Sequence, residues 1–211
     1  MSRFATGEMR RIFVRQLWQL IRRLVPMHLF RRQQIRISFD IDDTLACQFH
    51  HAAAEQSRLP KFIPRLLGEP LRSGTRSLTR ELRRRGCSIW IYTSSGRTQS
   101  YIKRWLLLYG VRIDGVVNSV RHGHALTAHG FSHSPSKFPP AFDIDLHVDD
   151  SEGVRIEGYD HGFRVVVVRP DDANWAQRVL DAVAEVQVQL VRQQLVRHAV
   201  QAQHRPEIFS S

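Results

Sequence analysis

The sequence predicts an α/β fold, a Rossmann-like parallel sheet flanked by helices. Three apolar runs typical of buried strands end in polar side chains, and segments with helical spacing lie between them. Strands that alternate with helices favour parallel pairing through right-handed crossovers. With 211 residues, the chain is long enough for one domain and its appendages. We therefore expect an N-terminal arm over 1–33, the α/β domain over 34–178, and a C-terminal helix and tail over 179–211.

The N-terminal arm carries most of the positive charge. Residues 1–36 hold nine arginines and one acid, which is +8 of the net charge of +11. Within them, residues 9–25 have the apolar spacing of an amphipathic helix with arginines on its other side, and Pro26 ends the pattern. The arginines interrupt the apolar run too often for a membrane-spanning helix or a signal peptide.

Such a helix has three candidate partners: the body of the protein, a partner protein and an anionic membrane surface. Packing is the usual reason for amphipathicity, which favours the first two. Nucleic-acid binding has no support beyond the net charge, because an excess of arginine over lysine can reflect codon usage in the source genome as well as phosphate recognition. The two cysteines do not indicate a disulfide framework, so we expect a cytoplasmic protein, with peripheral membrane association as an alternative. An arginine-rich start is also typical of organelle transit peptides, and the end of the C-terminal helix would suit a homodimer.

The first predicted strand, 36–39, ends in a cluster of carboxylates. Residues two apart point the same way in a strand, so Asp40 and Asp42 can converge on one small site. Two carboxylates that close repel each other unless a proton or cation lies between them, and Mg²⁺ prefers such oxygen ligands. A turn and a helix cap would explain Asp43 and Thr44. They would not explain Asp40, because an ionised carboxylate at a buried strand end is costly unless it is paired.

The remaining elements follow from breakers, helical spacing and apolar runs. Residues 46–70 are predicted to be irregular, and so is the Pro-, Gly- and His-containing segment 119–142. The predicted regular elements are a helix over 71–85, a strand over 87–93, a helix over 97–109, strands over 115–118, 144–148 and 163–168, and a helix from Asn174 to His204.

Polar groups follow three of these strands and would share one rim of a parallel sheet. They are Asp40 and Asp42, then Thr93 and Ser94, then Asp149 and Asp150, with Lys137 shortly before the last pair. Carboxylates, a cation, a hydroxyl and an ammonium group together describe a phosphate site. The metal and the lysine would neutralise phosphoryl oxygens, while the hydroxyl and nearby backbone N–H groups would donate to them.

This order of motifs resembles the haloacid dehalogenase-like superfamily of phosphohydrolases. The matching segments are Asp40-Ile41-Asp42-Asp43-Thr44, Thr93, Lys137 and Asp149-Asp150, within roughly 34–170. The resemblance implies that Asp40 attacks phosphorus and Asp42 acts as acid and then base. It also implies Mg²⁺ held by Asp40, the Asp42 carbonyl and Asp150, with Asp149 as a water-mediated ligand or hydrogen-bond partner. Spacing alone leaves the choice between Asp149 and Asp150 open.

The resemblance implies a Mg²⁺-dependent phosphatase that hydrolyses a phosphomonoester through an aspartyl-phosphate. Transfer of the phosphoryl group to an alcohol is also compatible, and so is a weak or inactive scaffold recruited by the basic helix. The motif order disfavours a two-component receiver domain, in which the acidic pair comes first and the lysine last. The intervals between motifs look too short for a large cap domain, which predicts an open site suited to a bulky substrate.

Four histidines, His122, His124, His129 and His133, lie in the segment before Lys137. Their spacing matches no established zinc pattern. The surrounding glycine, serine and proline favour a mobile loop near the rim of the site instead.

Overall fold

A computed structural model of the protein describes residues 34–46, 53–56, 69–131 and 135–203, with side chains described up to residue 197. The predicted arm over 1–33, including the amphipathic helix, lies outside the described residues, as do His133 and the end of the predicted tail. The roles expected for the arm remain predictions.

The core of the protein is a five-stranded sheet in which every neighbouring pair is parallel. The strands are β1 (Arg36–Phe39), β2 (Ser88–Tyr92), β3 (Gly115–Val117), β4 (Leu146–Asp149) and β5 (Val165–Val167). Their order is β3-β2-β1-β4-β5. The chain therefore builds outward from β1 on one side and then returns to its other side through β4. This confirms the predicted α/β class and places a topological switch point between β1 and β4, where ligands bind in such sheets.

In the part of the chain that the structure describes, a helix follows each of the five strands. They are α1 (Thr75–Arg84), α2 (Gln99–Leu108), α3 (Ser119–His129), α4 (Glu152–Asp160) and α5 (Trp175–Gln203), with a 3₁₀ helix at Pro139–Phe142. Helix α1 packs on β2, α2 and α3 pack on β3, and α4 packs on β5. Strands β1 to β4 bury a nearly continuous, mostly apolar core, as strands covered on both faces do, whereas the residues of β5 are half-buried.

The irregular segment predicted over 119–142 is wrong in its first half, which forms α3. The Asn118 side chain caps this helix by accepting a hydrogen bond from the Arg121 N–H at 3.3 Å. Gly130 ends it in the left-handed conformation, with φ 66°. His122, His124 and His129 are therefore helical. Among the described residues, no group of three or more His, Cys, Asp or Glu side chains is arranged to hold a metal ion.

Helix α4 is not predicted from the sequence, because its apolar signal is weak. Only Val154 and Gly158 are buried along it. Ser151 begins the helix, and its Oγ accepts hydrogen bonds from the Gly153 and Val154 N–H groups at 3.1 and 3.4 Å.

Short backbone pairings follow the first strand. Ala46 bridges to Leu71, and Ala54 bridges to Arg72. Residues 47–52 and 57–68 of this interval lie outside the described ones, so the absence of a cap there remains a prediction. Between β2 and β4 the chain forms only α2, β3, α3, the 3₁₀ helix and their connections, within the part that the structure describes.

Arg72 links the connection after β1 to the loop between β5 and α5. Its buried guanidinium donates to the carbonyl groups of Thr44, Arg169, Pro170 and Asp172 at 2.6–3.3 Å. It also lies over the Trp175 ring, 4.6 Å from the centroid.

Helix α5 continues past the α/β domain. Helix α5 spans the boundary between two compact units of the chain: its residues up to Leu180 belong to one, and its residues from Asp181 to Gln203 belong to the other. Its length matches the predicted helix over 174–204. None of the described helices combines the length and the apolar character needed to cross a membrane.

Candidate active site

An open cleft of about 280 Å³ lies at the carboxyl ends of β1 and β4. Its lining contains six of the residues predicted for the site and adds neighbours from the same loops. The lining residues are Asp40, Asp42, Asp43, Ser94, Ser136, Lys137, Asp149, Asp150, Ser151 and Val154. The structure thus brings together segments that are separated by more than a hundred residues in the sequence.

The turn after β1 presents three aspartates to the cleft. The Asp40 N–H still donates to the Val148 carbonyl at 2.9 Å, which continues the ladder between β1 and β4. The chain then closes tightly, because the N–H groups of Leu45 and Ala46 both donate to the Ile41 carbonyl, at 2.9 and 2.7 Å. Asp43 adopts φ 55° within this turn, a conformation that aspartate tolerates better than most residues. Ile41, which lies between Asp40 and Asp42 in the sequence, is fully buried.

Lys137 is the buried cation of the site. Its ammonium group contacts Asp40 Oδ1 in a short ion pair, lies 3.7 Å from Asp149 Oδ2, and donates to the Tyr92 carbonyl at 3.0 Å. Burial raises the pKa of the Asp40 carboxyl, and the charges of Asp149 and Asp42 raise it further, while Lys137 acts to lower it. The lysine therefore partly compensates a carboxylate that has been removed from water.

The loop that carries Lys137 is anchored on both sides. Ser136 donates its N–H to both Glu157 oxygens of α4 at 3.0 Å, and its Oγ donates to Oε2 at 2.6 Å. On the other side, the Phe138 N–H donates to the Tyr92 hydroxyl at 2.8 Å. That hydroxyl is 2.6 Å from Nδ1 of His122, whose Nε2 is 3.1 Å from the Pro135 carbonyl. The predicted lysine is thus placed by contacts with α3, α4 and β2.

Asp149 is held by a buried network behind the cleft. His147 is fully buried on β4, and its two ring nitrogens lie 2.8 Å from Ser38 Oγ and 2.9 Å from Asp149 Oδ2. The Ser151 N–H donates to the other oxygen of Asp149 at 3.0 Å. Burial opposes ionisation of Asp149, but His147, Lys137 and the Ser151 N–H outweigh it and lower its pKa. Both oxygens of Asp149 are therefore engaged by protein groups.

Asp150 is in a different environment. It is half-buried, and burial raises its pKa, as do the charges of Asp149 and Asp43, against a smaller opposing effect of Lys137. Asp40 and Asp150 thus both lie in a cleft with an excess of negative charge. Mg²⁺ is commonly held by one or two carboxylates together with waters and phosphate oxygens. The donor set fits that ion, with Asp150 better suited than Asp149 to direct contact.

Asp42 has an arginine partner that the sequence analysis does not identify. Arg97, which lies shortly after β2, donates from Nη1 and Nη2 to the two Asp42 oxygens at 3.0 and 2.8 Å. The same guanidinium donates to Glu69 Oε1 from Nε and Nη2, at 3.1 and 2.7 Å. Asp42 is therefore an oriented carboxylate in the cleft wall.

The two hydroxyl residues after β2 are placed differently. Ser94 lines the cleft, whereas Thr93 is fully buried and is not part of the lining. Thr93 Oγ1 donates to Ser95 Oγ and accepts from the Ser95 N–H, both at 3.1 Å. Thr93 thus shapes the turn, and Ser94 is the residue of the pair that faces the cleft.

Three titratable residues behind the acids of this site, His147, Arg97 and Glu69, are missing from the sequence prediction. His147 lies inside an apolar strand, and a polar residue in such a run is a usable signal of a buried network. Arg97 follows the polar run Ser94-Ser95-Gly96 at a predicted strand end, which is a weaker signal. Glu69 has no local signal, because only the folded chain brings it to the arginine.

No protein-family model and no curated protein matches the chain. Solved structures do resemble it, among them a predicted HAD-like family hydrolase from Porphyromonas gingivalis, at 12% identity and TM-score 0.39, covering 71% of this chain and 98% of that one. Another is an uncharacterized Corynebacterium glutamicum protein, at 14% identity and TM-score 0.40, covering 72% and 94%. A third is the cobalt-bound deoxy-D-mannose-octulosonate 8-phosphate phosphatase of Haemophilus influenzae, at 13% identity and TM-score 0.39, covering 73% and 89%. The fold class rests on the parallel strand order described above.

Proposed function

We propose that this protein is a Mg²⁺-dependent phosphatase that hydrolyses a phosphomonoester through an aspartyl-phosphate on Asp40. One observation carries the proposal: a buried carboxylate at the switch point of the sheet faces an open cleft and is paired with a buried lysine. An ion pair with no function beyond stability gains little from such burial, because desolvation offsets most of the attraction.

In the proposed reaction Asp40 supplies the nucleophile. We assign attack to its Oδ2, since Oδ1 is held by Lys137. The new bond from Oδ2 to phosphorus forms as the bond to the leaving oxygen breaks, and Asp42 gives its proton to that oxygen. Water then attacks phosphorus, Asp42 takes a proton from it, and the bond to Asp40 breaks to release inorganic phosphate.

The remaining cleft residues bind and orient the phosphoryl group. Lys137 supplies positive charge beside Asp40, Ser94 supplies a hydroxyl donor, and the first turn of α4 adds the partial positive charge of a helix start. Asp40, the Asp42 carbonyl and Asp150 would hold Mg²⁺, while Asp149, fixed by His147, would stay outside direct contact. The metal would neutralise phosphoryl oxygens as charge moves onto the leaving group.

The test is hydrolysis of p-nitrophenyl phosphate by the purified full chain, with Mg²⁺ or with EDTA. We expect turnover only with the metal, and loss of at least about 10³-fold in Asp40→Asn, because the amide cannot act as nucleophile. Asp114→Asn alters an acid at the amino ends of the strands, away from the cleft. It is the matched control and should retain turnover.

Circular dichroism of each variant would separate lost chemistry from lost folding. The proposal fails if the folded wild type is inert towards a panel of aryl, sugar, nucleotide and alkyl phosphates with Mg²⁺, Mn²⁺ or Co²⁺. It also fails if Asp40→Asn keeps the activity.

A further inference from the structure

We propose that Arg97, braced by Glu69, is a positioning residue that fixes Asp42 for proton transfer to the leaving group. The inference rests on the proposed phosphatase function and adds to it the group that orients the acid. It concerns a contact across 55 residues of sequence that no motif indicates.

The guanidinium lies between two carboxylates. Both terminal nitrogens donate to Asp42, at 3.0 and 2.8 Å, so the carboxylate is held by two parallel hydrogen bonds that fix its plane. Nε and Nη2 also donate to Glu69, at 3.1 and 2.7 Å. All three nitrogens of Arg97 thus have carboxylate partners, which argues against a role for this arginine as a phosphate ligand.

Glu69 is itself held in place. Its backbone carbonyl accepts hydrogen bonds from Trp105 Nε1 at 2.7 Å and from the Tyr109 hydroxyl at 3.3 Å. Trp105 is a buried residue of α2, so the brace is tied to the core.

Arg97 is fixed through its backbone as well. Its carbonyl accepts from Asn118 Nδ2 at 3.2 Å, and the next residue, Thr98, caps α2 by accepting from the Tyr101 N–H at 3.3 Å. The start of α2 therefore sets the position of the guanidinium relative to the cleft.

The arrangement suits a carboxyl group that must lose and regain a proton during a reaction. Glu69 supplies Arg97 with a second counter-charge, so the guanidinium keeps a partner whether or not Asp42 carries a proton. Misplacement of a reacting group by about 1 Å can lower the rate about 10²-fold. An arginine that held Asp42 without such a brace could move with it.

The test uses kcat/KM for a series of phosphate esters whose leaving groups differ in acidity. 2,4-Dinitrophenolate leaves without a proton, whereas phenolate and alkoxides require one. In Arg97→Gln we expect kcat/KM to fall about 10–100-fold for phenyl and alkyl phosphates and less than about 3-fold for 2,4-dinitrophenyl phosphate. Glu69→Gln should show the same dependence to a smaller extent.

Two further variants sharpen the result. Arg97→Lys should not restore the rate, because an ammonium group cannot reproduce the two-point contact. Arg83→Gln removes another arginine–aspartate pair, to Asp114 at 3.1 Å, and should leave the whole series unchanged.

An equal loss for every leaving group in folded Arg97→Gln and Glu69→Gln would overturn the positioning role. A rise in KM with unchanged kcat would also overturn it and would assign Arg97 to substrate binding instead. If the wild type is inert on every ester, the phosphatase proposal itself fails, and the role of Arg97 fails with it.

Discussion

The amino ends and the carboxyl ends of the parallel strands both carry aspartates, but the groups around these acids differ. The two sides of the sheet are called here the amino edge and the carboxyl edge. At the amino edge, Asp145 accepts the Arg36 N–H at 2.8 Å, and Asp114 accepts the Ile89 N–H at 2.7 Å and the Ser88 hydroxyl at 3.1 Å. At the carboxyl edge, the acids face one another across a cleft.

The charges nearby differ in sign as well. Burial raises the pKa of Asp145, and the Arg36 N–H together with Arg164 and Arg36 act to lower it. Burial also raises the pKa of Asp150, but there the main neighbouring charges are the acids Asp149 and Asp43, which raise it further. The amino edge uses carboxylates to satisfy backbone groups, whereas the carboxyl edge holds carboxylates that favour a cation. Such a concentration of like charge is typical of functional sites, where the repulsion between the charges lowers the free energy of unfolding.

The largest expected effect comes from His147, which links the carboxyl edge to the core. Replacement by phenylalanine would leave Ser38 Oγ and one Asp149 oxygen without their buried partner. We expect the free energy of unfolding to fall by about 2–4 kcal/mol and activity to fall about 10–100-fold. Urea unfolding and turnover of p-nitrophenyl phosphate would measure both, and unchanged turnover would mean that the network does not position Asp149.

A change at the amino edge should affect stability alone. Asp114→Ala removes the acceptor for the Ile89 N–H and the Ser88 hydroxyl, and we expect a loss of about 1–3 kcal/mol in the free energy of unfolding. The kcat of the folded variant should equal that of the wild type. A fall in kcat would break the contrast between the two edges.

Removing charge from the carboxyl edge should stabilise the metal-free protein. The pKa of Asp150 is raised in the folded state, so its ionised form at neutral pH favours unfolding. In EDTA at pH 7.5, Asp150→Asn should raise the free energy of unfolding measured in urea. The gain should disappear as the pH falls below the usual range of an aspartate, where the wild-type carboxyl is neutral in both states. Added Mg²⁺ should stabilise the wild type more than the variant, and equal stabilisation would argue against Asp150 as a ligand.

The smallest effect concerns Cys87, which lies next to β2 at the amino edge. Burial raises the pKa of this thiol to about 11, so at pH 8 its thiolate is about a hundredfold scarcer than that of an ordinary cysteine. In a Cys47→Ser background, the native protein should react with a disulfide reagent far more slowly than the urea-unfolded chain. Fast reaction of the folded protein would show that this edge opens.

The sequence predicts those strands and helices that a local pattern of residues marks. β1, β2 and β4 are apolar runs that end in polar residues, and their common rim follows from parallel pairing. Helices α3 and α4 are harder to predict, since α3 is rich in histidine and α4 buries few side chains. Their boundaries depend on the capping residues Asn118 and Ser151 as much as on an apolar pattern.

The residues of the site fall into the same two groups: those that a sequence pattern indicates and those that only the fold brings together. The acids and Lys137 can be proposed from motif order, although only the fold shows that Lys137 lies between Asp40 and Asp149. Arg97 meets Asp42, and Glu69 meets Arg97, because of the path of the chain around α2. Thr93 turns away from the cleft and forms hydrogen bonds with Ser95. Such choices depend on tertiary packing, which no local pattern encodes.

The central position of β1 has a consequence for biosynthesis. Its partner β4 arrives late, since Ser38 and His147 are 109 residues apart in the chain. A nascent chain that has emerged only as far as β3 already contains Asp40 but lacks Asp149 and Asp150. Closure of so long a loop is slow compared with helix formation. The ribosome therefore releases the second half of the cleft only after most of the domain has been made, and a nascent chain that ends at β3 holds an incomplete cleft.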